Sequence, residues 1–440
     1  MIACLLSTII PKKMTDYRSI KPITKNIVSL NAPAIEVTKT LGGYPLYISD
    51  TKPIGVIQIE LFWGKGSFHQ KQAFQSSLAG DLIFAGTKKR KEVEIVQFFD
   101  CLGASHHTDS LFMGSSIILR CVKKHYEKVF SWLLENASEA CYPEQGVVSA
   151  ISVQSAALER QQQTPKYWAS RKSMETLYGP NHPLTRYGNT DDYQKIDSTC
   201  LFDYRREHLP ISDCMLFLSG DIDKEIIAKT DTIMAHYPGG SFSVPKFQDC
   251  LSLPGDNTVV QHKVSNTNQV SLQMVAHVSP KNQKEKHQLT LLNMCLGGYF
   301  GSKLMQVLRE EKGLTYGVSS YFQPAFRDFT WTISGEFTSA NTQESFETID
   351  MIFRDLRDTV IPLENLNKIK QYYAGQFRSG FDGPFGMSSK VQHLLYENLD
   401  MDYFETVLPS IWAISPKDLN TLANNYLHKE SFIHVLAGDT

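Results

Sequence analysis

No two of the thirteen histidines stand four residues apart, and none of the eight cysteines belongs to a C-x-x-C pair. The first absence removes the helical His pair on which zinc hydrolases are commonly built, and the second removes zinc ribbons and dithiol redox motifs. Charge of either sign is not in excess: Lys and Arg number 44, Asp and Glu 46, and the formal net charge is -2. A general nucleic-acid binder, which needs a basic face, is therefore not expected. Long apolar runs are also missing. The start region from Ile2 to Ile10 is too short to span a membrane, and it lacks a basic leader and a small-residue cleavage site, so no membrane span and a cytoplasmic location are expected, with Met14 an alternative start.

What remains is an ordinary globular composition, 42% apolar, 11% aromatic and 20% charged. A chain of 440 residues exceeds what one core usually supports, so at least two domains are expected. Most cysteines sit in apolar runs such as Ile117 to Cys121, which suggests buried reduced thiols and a reducing compartment.

The order of elements repeats. In the first half Gly55 to Trp63 reads as a strand, Gln72 to Ala85 as a helix with Phe74, Leu78 and Leu82 on one face, and Glu92 to Leu102 as a second helix stopped by Gly103. Strands around Ala104 to Thr108 and Gly114 to Cys121 follow, then an amphipathic helix from Lys124 carrying Val129, Trp132 and Leu133. The second half gives a strand at Val270 to Ala276, helices at His287 to Leu296 and Ser302 to Glu311, and Gly313 as the stop. Strands at Thr315 to Gln323 and Phe329 to Phe337 and a helix at Gln343 to Leu356 complete it. A Pro-, Gly- and Ser-containing stretch separates the halves. The expectation is an α+β chain of two homologous α/β-roll domains, 1–236 and 258–440, joined by a linker at 237–257 and able to form a clamp around a chamber.

Three local patterns carry a resemblance. Leu82-Ile83-Phe84-Ala85-Gly86-Thr87 resembles M-L-F-K-G-T, and Asn181-His182-Pro183-Leu184 resembles a G-x-H-P-x-G region. Leu296-Gly297-Gly298, Leu308-Arg309-Glu310 and Gly313-Leu314-Thr315-Tyr316 together resemble L-G-G…L-R-E…G-L-A-Y. Over its whole length the chain resembles the M16B zinc peptidases, the insulinase-like family of mitochondrial processing peptidase and the bc1 core proteins.

Active members of that family carry H-x-x-E-H just before F-x-G-T, the two His binding zinc and the Glu activating water. Placing F-x-G-T on Phe84 to Thr87 puts Ser77 and Asp81 in the His positions and Gly80 in the Glu position. Matching the family's acidic stretch before Thr164-Pro165 puts the distant ligand region at Ala156-Ala157, with Glu159 the nearest carboxylate. The resemblance thus implies a degenerate metal site, no catalytic residue and no zinc in this chain. It also implies that Arg309 and Tyr316 point into the chamber and donate hydrogen bonds to a substrate's main-chain carbonyls.

A half-site that orients peptide without hydrolysing it has use if another chain brings the metal. The resemblance implies a heterodimer with an H-x-x-E-H paralogue holding zinc, in which this chain is the inactive, substrate-binding subunit and an unfolded peptide adds a strand to a sheet edge. A structural or assembly subunit, and a stand-alone peptide-binding homodimer, stay open beside it. Other residues read blandly. His106 and His107 face opposite ways on a strand, Asp81 is expected to satisfy a water or a neighbouring backbone donor, Lys88 to Lys91 reads as a solvated turn, and Cys101 as a core thiol.

Overall fold

The computed structural model of the chain describes residues 25–439 apart from 52–53, 238, 240–241, 245–257, 266 and 326–327. Most of the expected linker, the start region with Met14, and Cys4 and Cys250 lie outside the described residues.

The first half contains strands β1 (Glu36–Lys39), β2 (Pro45–Asp50), β3 (Val56–Trp63), β4 (Ser105–Ser110), β5 (Ser115–Val122) and β6 (Met215–Gly220). Its helices are α1 (Gln75–Asp81), α2 (Glu92–Cys101), α3 (Tyr126–Glu139), α4 (Glu144–Gln162), α5 (Pro165–Tyr178), α6 (Ser198–His208) and α7 (Lys224–Met234). The second half contains β7 (Val259–Lys263), β8 (Gln269–Val278), β9 (Val318–Ala325), β10 (Asp328–Thr338) and β11 (Ile433–Gly438). Its α-helices are α8 (Gln283–Leu296), α9 (Thr342–Asp358), α10 (Leu363–Ser379), α11 (Met387–Glu397), α12 (Tyr403–Ala413) and α13 (Pro416–Tyr426), and Met305–Glu311 winds as a π-helix.

Strand order makes the duplication explicit. The first sheet runs β1-β2-β6-β3-β5-β4 and the second β7-β11-β8-β10-β9. Removing β1 makes the two orders superimpose, with β7 standing for β2, β11 for β6, β8 for β3, β10 for β5 and β9 for β4. The pairing sense repeats as well: β2 with β6 and β7 with β11 are parallel, and the other pairs are antiparallel. The fold is α+β with two mainly antiparallel sheets, as the sequence implies.

Alternation explains how each sheet is used. On β3, Ile57, Ile59, Leu61 and Trp63 enter a core with Leu78, Phe99, Val129, Leu133 and Leu201 from the half's own helices. Their neighbours Gln58, Glu60 and Phe62 face the other way and are also buried. What covers them is α11 of the second half: Val391 packs with Phe62, Met215 and Phe217. The exchange is mutual. On the second sheet Leu272, Met274, Trp331 and Ile333 join the half's own core, while α5 of the first half lays Met174, Leu177 and Tyr178 on Val275, Ile433 and Val435. Each half thus lends one helix to the open face of the other's sheet. Residues before β1 also cross over: Ile27 accepts from Trp412 Nε1 at 2.8 Å, and Leu30, Ala32 and Ile35 pack with Phe381 and Phe404.

Two expected helices differ from their prediction. The one drawn from Gln72 to Ala85 is only α1, because Phe74 takes a left-handed conformation (φ 68) to stack on Tyr193 with ring centroids 4.1 Å apart, and three-residue turns replace the helix after Asp81. The one drawn from Ser302 to Glu311 is mostly π-helix, its Lys312 N–H reaching back five residues to Val307 O. Gly103 and Gly313 end their helices at φ 61 and 64, and each leads into the edge strand of its half.

Candidate functional site

The second half places the Arg/Tyr motif at its free edge. The π-helix carries Arg309 on its last turn, Gly313 turns the chain, and Tyr316 precedes β9, the edge strand of the second sheet. Leu308 and Leu314 anchor the segment in the core, so Arg309 and Tyr316 point outward. Tyr316 is 97% exposed, and the Arg309 guanidinium lies over the Phe300 ring at 5.0 Å.

Both residues line a cleft of about 790 Å³ with Gly313, Ser319 and Glu336 of the second half and Lys166 of α5 in the first. A smaller cavity of about 340 Å³ shares Lys166, Gln269 and Glu336 and extends the cleft to Thr164 and Pro165. The cleft is therefore walled by both halves, and its lining carries Arg309 and Lys166 as cations, Glu336 as an anion and the Tyr316 phenol. Such a wall suits main-chain carbonyls, which accept from a guanidinium fork or a phenol.

In the first half the corresponding edge is β4, whose Ser105, His106 and His107 are exposed. Beside it lies α1. Ser77 Oγ donates to the Phe74 carbonyl at 3.1 Å, Gly80 offers no side chain, and Asp81 accepts from Gln154 Nε2 at 2.9 Å and from Thr108 Oγ1 at 3.4 Å. Desolvation pushes the Asp81 carboxyl upward, against the two hydrogen bonds and the nearby His107 that pull it down.

This donor set does not fit zinc. It offers one carboxylate, one hydroxyl already engaged and one neutral amide, whereas zinc takes thiolate, imidazole and carboxylate ligands. Among the described residues there is no cluster of three or more His, Cys, Asp or Glu able to hold a metal ion. Counting from Thr164-Pro165 misses the residue that helix α4 brings to this place: Gln154 meets Asp81, while Ala156 and Ala157 offer no polar side chain.

The remaining sequence candidates fall as follows. His106 packs on Phe84 at 4.1 Å between centroids and His107 binds Asp109 at 3.0 Å, on opposite faces. Lys89 pairs with Glu139 at 3.1 Å and Arg90 with Glu135, with Arg90 also over the Trp132 ring at 4.0 Å, so the basic turn is pinned to α3. Cys101 is exposed rather than a core thiol, because it closes α2 on the outward face. Six cysteines are free, and burial pushes the Cys121 and Cys295 thiols up to about 12. No helix among the described residues is long and apolar enough to cross a membrane.

Two sheets of one topology with exchanged helices make a chain of two matched α+β halves. Residues 195–373 match the family described as "Peptidase M16 inactive domain". The chain is 22% identical over 376 residues to a Helicobacter pylori protein named "Non-peptidase homolog YmxG", covering 84% of this chain and 85% of that one. Its fold is similar to that of the peptidase M16 inactive domain from Pseudomonas fluorescens, with a TM-score of 0.80, 19% identity, and 93% and 99% of the two chains covered. It is also similar to the periplasmic protease PqqL from Escherichia coli, at a TM-score of 0.75 and 15% identity, over 98% of this chain and 49% of that one.

Proposed function

We propose that this chain is the non-catalytic, substrate-binding subunit of an M16-type zinc peptidase, closing around a paralogue that carries H-x-x-E-H and zinc, and that it holds an unfolded peptide for that partner. The observation that carries this reading is the division of labour between its edges. The β9 edge has Arg309 and Tyr316 on one cleft, and the β4 edge has Ser77, Gly80 and Asp81 in place of a metal and base. A peptide laid along a free edge is held through its backbone, so many sequences are tolerated, and Arg309 and Tyr316 add donors for carbonyls the sheet leaves unpaired. The non-peptidase name of the Helicobacter pylori relative supports the inactive half of the reading. The six described cysteines are free, which fits a reducing, cytoplasmic setting.

Mixing the purified chain with an H-x-x-E-H paralogue tests it. Turnover of an unfolded peptide is expected to rise on mixing. Arg309→Ala is expected to lower turnover about tenfold, the worth of one charged hydrogen bond, while the complex still assembles and thermal stability is unchanged, since the side chain is exposed. Unchanged turnover in Arg309→Ala contradicts the assignment. A second reading, a peptide-binding homodimer without proteolysis, is favoured by the cleft being walled within one chain. It predicts peptide binding with no partner present.

A further inference from the structure

The seam where α11 covers the first sheet holds a buried acid. Glu60 is 1% exposed in the middle of β3, and its Oε1 accepts from Ser116 Oγ at 2.7 Å and from Gln392 Nε2 of the other half at 2.6 Å. Its Oε2 is buried with no hydrogen-bond partner among the described residues, and so is the hydroxyl of Tyr396 on α11. Ser388 of α11 also faces the carboxyl. A Cβ on Gly114, in the β4–β5 turn, would stand 2.2 Å from the Tyr396 hydroxyl, so α11 is seated in a notch that only glycine leaves open.

We propose that Glu60 is a proton-dependent latch between the two halves, which holds α11 on the first sheet when it is neutral and releases it when it ionises. The chemistry follows from a buried carboxyl with no cation beside it. An ionised carboxylate here would be a buried charge faced only by neutral hydroxyl and amide groups, with no cation paired to it, a costly state. A protonated carboxyl turns Oε2 into a donor, with the Ser388 or Tyr396 hydroxyl available to accept. Opening the seam would expose the group to water, where the ionised form is favoured. Burial pushes the Glu60 carboxyl above the ordinary carboxylate range, with the nearby Asp109 adding to the rise and the neighbouring hydroxyl and amide groups of Ser388, Ser116 and Gln392 opposing it.

The surroundings offer little compensation. On the same face of the sheet, β5 contributes Arg120, whose Nε donates to Gln58 at 2.8 Å and whose guanidinium lies over Phe385 at 4.7 Å. Strand β4 contributes Asp109 and the His107 bound to it. Strand β6 places Phe217 opposite Glu60, and α11 faces it with Ser388, Gln392 and Tyr396, none of them a cation. The second sheet makes the same seam without a charge. At the register of Glu60 it has Gln273, which accepts from Ser173 of α5 at 2.9 Å.

The sign is fixed by the shift. The carboxyl pKa is higher in the closed form than in the open one, so closure takes up a proton. The closed form is favoured at low pH and weakens as pH rises through the raised value. Between the open and closed values the closed-to-open ratio falls about tenfold per pH unit.

Hydrogen exchange of α11 and β3 in the full chain, corrected for intrinsic base catalysis, reads this between about pH 5 and about pH 8. Protection of both segments is expected to fall with rising pH in the wild type. Glu60→Gln, which keeps an acceptor and adds a donor, is expected to stay protected throughout, and His107→Gln is expected to keep the wild-type profile. Protection independent of pH in the wild type, or an unchanged fall in Glu60→Gln, overturns the proposal. If Glu60→Gln does not fold, the wild-type profile decides alone, with α5 on Gln273 as the internal segment that should not respond.

Discussion

The edge strands β4 and β9 occupy the same place in two sheets of one topology, and each follows a helix stopped by a left-handed glycine. What stands beside them differs. Beside β4 lie Ser77, bonded to the Phe74 carbonyl, Gly80, and Asp81, bonded to Thr108 and Gln154, with no metal-holding cluster among the described residues. Beside β9 lie Arg309 and Tyr316, both exposed on one cleft. The same contrast runs through the seams: a buried acid with no cation beside it on the first sheet, a neutral amide bonded to Ser173 on the second. Duplication has fixed the scaffold and left the side chains at equivalent places free to take different work.

The largest expected effect comes from building the H-x-x-E-H set into the first half. A Cβ at Gly80 would meet nothing closer than Thr108 Cβ at 3.9 Å, so the site has room for a side chain. Ser77→His, Gly80→Glu and Asp81→His combined with Gln154→Glu are expected to create zinc binding worth about 10 kcal/mol, read by calorimetry. Absence of binding in the folded quadruple variant would mean the metal position is misplaced.

Next is the dependence of each half on the other. Trp331 is fully buried in the second core, its Nε1 donating to Asn293 at 2.9 Å and Ser320 at 2.8 Å. Trp331→Ala is expected to cost about 3–5 kcal/mol. Because α5 and α11 are exchanged, thermal unfolding is expected to remain a single transition that moves down as a whole. Two separated transitions in calorimetry would show that the halves fold independently. A smaller effect tests the seam alone: Gly114→Val closes the notch for Tyr396 and is expected to cost about 1–3 kcal/mol, with increased exchange confined to α11 and the first sheet.

Much of the fold was legible in the sequence because its signals are local. The patterns of Gly55 to Trp63 and of Val270 to Ala276, and the glycines at 103 and 313, report backbone preference directly. The exchange of α5 and α11 was not legible, since an amphipathic helix announces that it has an apolar face and not which sheet the face covers. Glu60 shows the same limit: on an alternating strand it reads as a solvent-facing residue, and only the arrival of α11 buries it. At the candidate site, the motif around Arg309 and Tyr316 placed both residues on one cleft. The partner of Asp81 was missed because counting along α4 from Thr164-Pro165 cannot tell which turn of a long helix meets α1.

The most direct test of the account is metal quantification with a peptidase assay on the purified chain alone. The account predicts no stoichiometric zinc and no cleavage of an unfolded peptide. One zinc per chain with turnover would contradict it and restore the first half as an active site.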